Sequence, residues 1–499
     1  MPRVSWGIPT RDPSSDAPTY EELAAENAEL RRRLEQLAGA NASQAGLIDQ
    51  LQRRIAALES RLGKDSTNSS LPPSSDRFTK KAKGESPNRA ARRALGRKPG
   101  KQPGAEGKHL AQVADPDETF VHSPSCCVHC GGDLADAPVE AIEVRQVLDA
   151  PVARLESKEH RAETRRCRCG AKTKAAFPAE ARGFVSYGPK LRAIALYLMS
   201  YQHLPFERCA AALRDLFGAE VSTGFLDQLY SEGAAGLEGF MATVLHLLAD
   251  SEVVHVDETF DFVRKEKTWF HVCANELYTL LHADSTRGKD GTERTGIFPD
   301  FTGIAVHDRL IQYFGYDKAT HAVCCAHLVR DLASVARVAI QEHWATSMTA
   351  LLIEMKLAAD AARAAGKNKL TKKSLGAFFD RYDALVDEAL LVNHAPANRA
   401  RDALERESFN LAVAFRDRKE DIVRFATDLR VPFTNNQAES DVRMVKLHAK
   451  ISGPFRAMHG AERLAAVRSY LQTAAKHGLL PIAVLSALFA GEPWIPQRI

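Results

Sequence analysis

The stretch from Glu252 to Asp308 most constrains the fold, because its hydrophobic periodicity is two rather than 3.6. Four segments of strand length follow one another in it: EVVHV, TWFHVCA, LYTLLHAD and GIAVHD. The first three lie close enough along the chain to form an antiparallel meander. A helix over residues 292–298 would separate the third from the fourth and allow a crossover to a parallel neighbour. The sequence therefore predicts a mixed sheet in an α/β domain.

An aspartate follows the first and the fourth of these predicted strands, Asp257 and Asp308. A single aspartate at a strand end is typically a turn or cap residue. Two carboxylates at one sheet edge, however, repel each other and take up protons unless a cation lies between them. Oxygen ligands of this kind suit Mg²⁺. Strand alternation points Glu258 to the opposite face from Asp257, which disfavours Glu258 as the ligand.

A third acid is expected from VPFTNNQAESDVRMVKLHAK. A helix beginning near Gln437, capped by Thr434 or an asparagine, would carry one acid and three cations on one face at i, i+4, i+7 and i+11. A salt-bridged surface helix is the alternative, yet three cations exceed what one acid needs. An acid on metal, flanked by cations on phosphates, explains the excess. The residues of that face are Glu439, Arg443, Lys446 and Lys450.

A heptad repeat occupies residues 19–62, with apolar residues or asparagine at the a positions and mainly leucine at the d positions. The narrow a/d stripe favours a self-associating coiled coil over one amphipathic helix packed on its own chain. Asparagine at two a positions, Asn27 and Asn41, is typical of a parallel dimer in fixed register.

A disordered, basic linker is predicted over residues 63–115, which are rich in Ser, Pro, Gly and Lys or Arg. Arg97, Lys98 and Lys101 lie among its glycines and prolines, where they could contact DNA phosphates. Composition alone leaves a solvated linker equally open.

Cysteine pairs within residues 116–180 predict a small zinc-binding module. Two thiolate pairs in glycine-containing turns provide four soft ligands, which tetrahedral Zn²⁺ prefers. Cys126 or His129 could replace a member of the first pair, and the second pair is separated by one residue rather than two. The predicted ligands are Cys127, Cys130, Cys167 and Cys169.

Residues 181–250 are predicted to be helical, with helices over 189–201 and 205–217 and a third capped by Ser222. The order resembles a helix-turn-helix, but GFLDQLYSEGAAG contains no Lys or Arg with which to read bases. A structural helical pair is therefore the better interpretation.

The composition indicates a cytoplasmic protein of several domains. The chain has 499 residues, and no apolar run is long enough to span a membrane. Most of the nine cysteines lie close to another cysteine in sequence, which suits metal binding in a reducing compartment better than disulfides.

Together these motifs resemble the DDE transposases of the bacterial insertion-sequence sixty-six family. The matching stretches cover residues 20–490 and include KDSTNSSLPPSSD, GRKPGKQPG, HVDET, FTGIAVHDRLIQYFGYDKATHAVCCAHLVRDL and VPFTNNQAESDVRMVK. The resemblance implies an RNase H-like catalytic core over 251–475, with a helical insertion at about 328–429 and a helical tail over 476–499. It implies that Asp257, Asp308 and Glu439 are catalytic metal ligands, and it matches Lys446 to a basic residue of the family. Cys324 and His327 match a Cys-x-x-His signature with a structural role.

The implied activity is cleavage of transposon ends and transfer of the freed 3′-OH to target DNA, with two Mg²⁺ or Mn²⁺ ions in the site. The implied partners are DNA, a second protomer through the coiled coil, and accessory transposition proteins, without a membrane. A nuclease that does not join strands and an inactive DNA-binding regulator are the alternatives.

Overall fold

The structure is a computed structural model that describes residues 112–149, 153–178, 180–181, 183–393 and 403–498, together with Glu29 and Arg32. The predicted coiled coil lies outside the described residues apart from those two. The predicted linker lies outside them up to residue 111, and so do Arg97, Lys98 and Lys101. Two compact units divide the chain. One contains Leu237–Leu480, and the other contains the stretch that ends at Gly236 together with Pro481–Pro493.

The unit that ends at Gly236 contains a short hairpin and a group of helices. Strands β1 (Thr164–Arg166) and β2 (Lys172–Lys174) pair antiparallel. The helices predicted from the sequence are confirmed as α1 (Pro189–Ser200), α2 (Phe206–Phe217) and α3 (Thr223–Ala235). The helix Pro481–Ala490 packs against α1 in the same unit.

Ser222 caps α3, as its sequence position predicts: its Oγ accepts the Phe225 N–H at 3.1 Å. Ser222→Ala should weaken the first turn by about 1 kcal/mol, because one orphan N–H loses its partner. Hydrogen exchange of the α3 amides should then be about fivefold faster near Phe225. Ser231→Ala, at an exposed position on the same helix, is the control and should leave this exchange unchanged. Equal exchange in both variants would show that the cap contributes nothing.

The other unit is built on a five-stranded mixed sheet with the order β5-β4-β3-β6-β7. Its strands β3, β4 and β5 form the predicted antiparallel meander, and β6 lies parallel to β3 as predicted. The fifth strand, β7, pairs parallel to β6 and was not expected from the sequence. The strands are β3 (Val253–Val263), β4 (Glu266–Ala274), β5 (Thr279–Asp284), β6 (Ile304–His307) and β7 (Thr320–Val323).

Two further helices belong to this unit. In chain order, α4 (Glu238–Ala249) precedes β3, and α5 (Lys289–Glu293) lies between β5 and β6. The prediction of a helix over 292–298 was wrong in its position. The helix ends at Glu293, and Gly296 adopts a φ of 83°, a conformation that leaves the right-handed helix.

Gly303 allows β6 to begin directly beside β3. A Cβ at this position would lie 2.6 Å from the Ser251 carbonyl oxygen and 2.8 Å from that of Glu252. The next residue, Ile304, donates its N–H to the Glu252 oxygen at 2.8 Å. Because glycine has no side chain, the two backbones can approach each other here, and this contact sets the register of β6 against β3.

Helices pack on this sheet in two hydrophobic cores. One core joins β6 and β7 to the long helical stretch that follows them, around the fully buried Trp344. The other joins β4 and β5 to the last two helices of the unit. The helices are α6 (Cys325–Val335), α7 (Ala339–Ala364), α8 (Lys372–Val392), α9 (Ala403–Asp417), α10 (Lys419–Ile422), α11 (Arg424–Thr427), α12 (Asn436–Ser452) and α13 (Met458–Lys476). Within the described residues, no helix is long and apolar enough to cross a bilayer.

Candidate active site

Asp257 lies within β3 and Asp308 directly follows β6, and the parallel pairing of these strands brings the two residues to the same level of the sheet. The parallel register pairs Val253 with Ile304 and His255 with Val306, so each aspartate lies two residues beyond the last pair. Both side chains are half-buried. Asp257 Oδ1 accepts the Glu258 N–H at 2.9 Å, and Asp308 Oδ1 accepts the Leu310 N–H at 2.8 Å. The prediction that Asp257 follows the end of its strand was wrong, because β3 continues to Val263 through its antiparallel pairing with β4. The parallel register with β6 nevertheless sets the two acids level.

The two aspartates lie in a strongly anionic environment. Burial raises the pKa of Asp257 well above its usual value, and the charges of Glu258, Asp308 and Glu439 raise it further. Burial and the charge of Glu258 raise the pKa of Asp308 to about 6, against the opposing effects of the Leu310 N–H and of nearby arginines. Asp257 is therefore repelled by both Asp308 and Glu439, and a cation beside it would relieve that repulsion.

The raised pKa of Asp308 predicts a pH dependence of stability. Its folded-state pKa of about 6 lies above the unfolded value, so its contribution to stability is fully present below about pH 4 and is lost as the pH rises through about 6. Without divalent ions, the unfolding midpoint of the wild type relative to Asp308→Asn should fall over this range. Comparing the two midpoints cancels the pH effects of all other titrating groups, because both proteins contain those groups. A pH-independent difference would show that Asp308 is not held in this environment.

Glu439 lies in the first turn of α12, and three groups approach the same oxygen, Oε1. Cys324 Sγ lies 3.9 Å from it, His327 Nδ1 3.6 Å and Arg330 Nη2 3.8 Å. In the part of the chain that the structure describes, the group of three ligand atoms all within 4.8 Å of one another is Cys324, His327 and Glu439. The tightest partners of Glu439 are thus the Cys-x-x-His pair rather than the two aspartates.

Asn435 connects the helix of Glu439 to the strand of Asp257. Its side chain is 1% exposed and bonds His255 Nδ1 at 2.9 Å and the Val256 carbonyl oxygen at 2.8 Å. An asparagine cap was predicted here, and Asn435 is the N-cap residue, but its side chain makes no capping bond. The amide is used instead for bonds to β3. The sequence contained no signal for this tertiary role.

Glu258 is held on the other side by protein donors, as strand alternation predicted. Its side chain is 1% exposed, Arg287 Nη2 lies 2.7 Å from Oε1, and the Tyr313 hydroxyl donates to Oε2 at 2.9 Å. Arg287 and Tyr313 were not found by sequence reasoning, because each is distant in sequence from Glu258 and belongs to no motif. Glu258 is therefore engaged elsewhere, while its charge acts on both aspartates.

The three cations of α12 differ in their surroundings, although the sequence placed them on one face. Lys446 donates to the Phe260 carbonyl oxygen, and its Nζ lies 3.7 Å from the centroid of the Phe260 ring. Burial lowers the pKa of Lys446. Arg443 and Lys450 are exposed. Arg443 and Lys450 are thus accessible to a phosphate, while Lys446 is anchored on β3.

The predicted zinc ligands are brought together in pairs. A turn in which the Gly131 N–H donates to the Cys127 oxygen at 2.8 Å places Cys127 beside Cys130. The backbone N–H groups of Cys130 and His129, and then the Cys130 thiol, lower the pKa of Cys127. Cys167 and Cys169 are related in the same way, with the Cys169 N–H as the largest cause of a lowered pKa of Cys167.

Comparison with known proteins supports the sequence resemblance. An uncharacterized protein, y4hP of Sinorhizobium fredii (strain NBRC 101917 / NGR234), is 24% identical over 409 residues, which cover 75% of this chain and 72% of that protein. A family of unknown function (DUF6444) matches residues 10–111. The family model described as "Transposase IS66 family" matches residues 185–463, over half of the chain, and includes the entire mixed sheet, both aspartates and Glu439. The chain therefore belongs to the transposase IS66 family.

Proposed function

We propose that the protein is a DNA transposase that cuts the ends of an insertion sequence and joins them to target DNA, with Asp257, Asp308 and Glu439 as its catalytic acids. The observation that carries this proposal is the parallel register that sets Asp257 level with Asp308 in the electrostatic field of Glu439. The five-stranded mixed sheet, with one acid within β3 and the other directly after its parallel neighbour β6, supports an RNase H-like core.

The donor set fits a hard divalent cation, Mg²⁺ or Mn²⁺. Carboxylate oxygens suit such ions, and the burial of mutually repelling acids is stabilised by a cation. Asp257, Asp308 and Glu439 would hold the ions, two in number. When bound, the ions would supply Lewis-acid activation of the attacking oxygen and stabilise the leaving oxygen of a phosphodiester. The role of Asn435 is to hold the first turn of α12 against β3, so that Glu439 stays near the aspartates.

Positively charged side chains would bind the DNA through its phosphates. Arg443 and Lys450 are exposed on the helix that carries Glu439, and Lys446 orders that helix on β3. Arg97, Lys98 and Lys101 of the linker would add further phosphate contacts. Phosphate contacts do not depend on the base sequence, so replacing these cations should weaken binding to all DNA sequences alike.

The remaining parts would assemble the complex in the bacterial cytoplasm. The coil over 19–62 would pair protomers so that two transposon ends are handled together, and accessory proteins could join them. Cys127, Cys130, Cys167 and Cys169 would hold a structural Zn²⁺ in the module over 116–180, which requires the two cysteine pairs to meet. The helical segment over 181–250, the core over 251–475 with its insertion, and the tail over 476–499 complete the proposed organisation.

The proposal is tested with labelled DNA ends taken from the flanks of the element. Purified protein should nick these ends only when Mg²⁺ or Mn²⁺ is present, and should join pre-cut ends to a second DNA. Metal-dependent hydrolysis without joined product would instead identify a nuclease. DNA binding without either reaction would identify an inactive regulator.

A further inference from the structure

Cys324, His327 and Glu439 form a compact group of three different donors. Cys324 directly precedes α6, His327 lies in the first turn of that helix, and Glu439 reaches the pair from α12. Because Cys324 and His327 are three residues apart at a helix start, their side chains lie on one side of it. The thiol and the imidazole both approach Oε1 of Glu439.

The separations are close to those of ligands on one tetrahedral zinc ion. Bond lengths of about 2.3 Å for sulfur and about 2.0 Å for nitrogen and oxygen place tetrahedral S···O and N···O pairs about 3.5 Å and about 3.3 Å apart. The observed distances are 3.9 Å from Cys324 Sγ and 3.6 Å from His327 Nδ1 to the carboxylate oxygen. A contraction of about 0.3 to 0.4 Å would therefore complete the coordination distances.

The surroundings of the sulfur and the imidazole also suit a metal. Cys324 is fully buried, and its Sγ accepts the Asn435 N–H at 3.1 Å, a bond that a thiolate ligand would strengthen. His327 Nδ1 is a buried nitrogen with no hydrogen-bond partner in the structure. An unsatisfied buried nitrogen carries an energetic cost that a metal bond would remove.

Arg330 is the group that opposes a cation here, since its Nη2 lies 3.8 Å from the same oxygen of Glu439. An ion would have to compete with this guanidinium for Oε1. A thiolate and a carboxylate together supply two negative charges, which balance a divalent ion. Thiolate and imidazole donors favour zinc-class ions over Mg²⁺.

We propose that Cys324, His327 and Glu439 form a binding site for a zinc-class divalent ion beside the aspartate pair. A carboxylate can bridge two cations with its two oxygens, so Oε1 can serve this site while Oε2 serves the aspartates. This sharing of Glu439 rests on the proposed function, whereas binding of the ion does not. The bound ion fixes the position of the Glu439 carboxylate.

The test is Co²⁺ binding to the full-length, chelator-treated protein, because a cobalt–thiolate bond absorbs in the near ultraviolet. Cys324→Ser should lower this band and the binding stoichiometry by about one ion per chain. Cys325→Ser is the matched control, since its thiol points to the Ile422 carbonyl oxygen at 3.4 Å, and it should keep the full band. The cysteines of residues 116–180 contribute equally to all variants.

His327→Gln provides a second variant, because its side chain is 18% exposed and tolerates replacement better than the buried Cys324. It should weaken cobalt binding at this site at least about tenfold while the circular dichroism spectrum is unchanged. A band and stoichiometry equal to those of the wild type in both Cys324→Ser and His327→Gln would overturn the site.

Asp257→Asn separates this proposal from the proposed function. It should keep the full cobalt–thiolate band while DNA cleavage is lost. Cleavage that survives Asp257→Asn would contradict the catalytic role and leave the zinc-class site standing. A band that does not respond to Cys324→Ser or His327→Gln would contradict the site and leave the catalytic role standing.

Discussion

Asp257→Asn should abolish DNA cleavage and at the same time make the metal-free protein more stable. The amide cannot replace a charged metal ligand, so the rate of metal-dependent cleavage should fall at least about 10³-fold. The stability gain follows from the raised pKa of Asp257, since removing the charge relieves its burial and its repulsion by Glu258, Asp308 and Glu439. The unfolding free energy near neutral pH should therefore increase.

Asp284→Asn is the matched contrast, because Asp284 lies in the same sheet, as the last residue of β5, but is paired with an arginine. Its carboxylate accepts bonds from Arg294 at 2.6 and 2.7 Å, which hold its pKa well below the usual value. The stability from such a group is present above the unfolded pKa and lost at lower pH, so removing its charge should destabilise the protein at neutral pH. Thermal unfolding without metal, beside a cleavage assay with Mg²⁺, measures both effects. Wild-type cleavage by Asp257→Asn would refute its proposed role.

Asn435→Leu should destabilise the contact between α12 and β3 and slow cleavage. Leucine has the same branching of side-chain heavy atoms as asparagine but removes the bonds to His255 and to the Val256 carbonyl oxygen, which are buried groups. Leaving such groups without this partner costs about 2 to 4 kcal/mol. Because Glu439 lies one turn further along the same helix, its carboxylate should lose its fixed position. Cleavage should fall about 10- to 100-fold.

The adjacent Asn436 provides the control, because it is exposed on the same helix start. Asn436→Leu should leave hydrogen exchange in β3 and α12 unchanged and cleavage near the wild-type rate. Exchange of the β3 amides should be faster in Asn435→Leu alone. If the two variants exchange and cleave alike, Asn435 does not position the site.

The strands, and the equal height of the two aspartates along neighbouring strands, could be predicted because both depend on local sequence patterns. Alternation of apolar residues defines EVVHV and GIAVHD, and the length of chain between them permits a parallel return. The start of α12 was also close to its prediction, Asn436 against Gln437. Strand β7, by contrast, has only four residues and no clear alternation, so nothing local distinguished it.

The sequence by itself determined which residues alternate along a strand and which share a helix face, since both follow from periods of two and 3.6. Only the tertiary structure decided which neighbour each face meets. It turned Lys446 onto Phe260, Asn435 onto β3, and Glu439 toward Cys324, a residue 115 positions away. Periodicity describes one segment at a time, whereas these contacts depend on how distant segments pack, and that packing is fixed by the whole core.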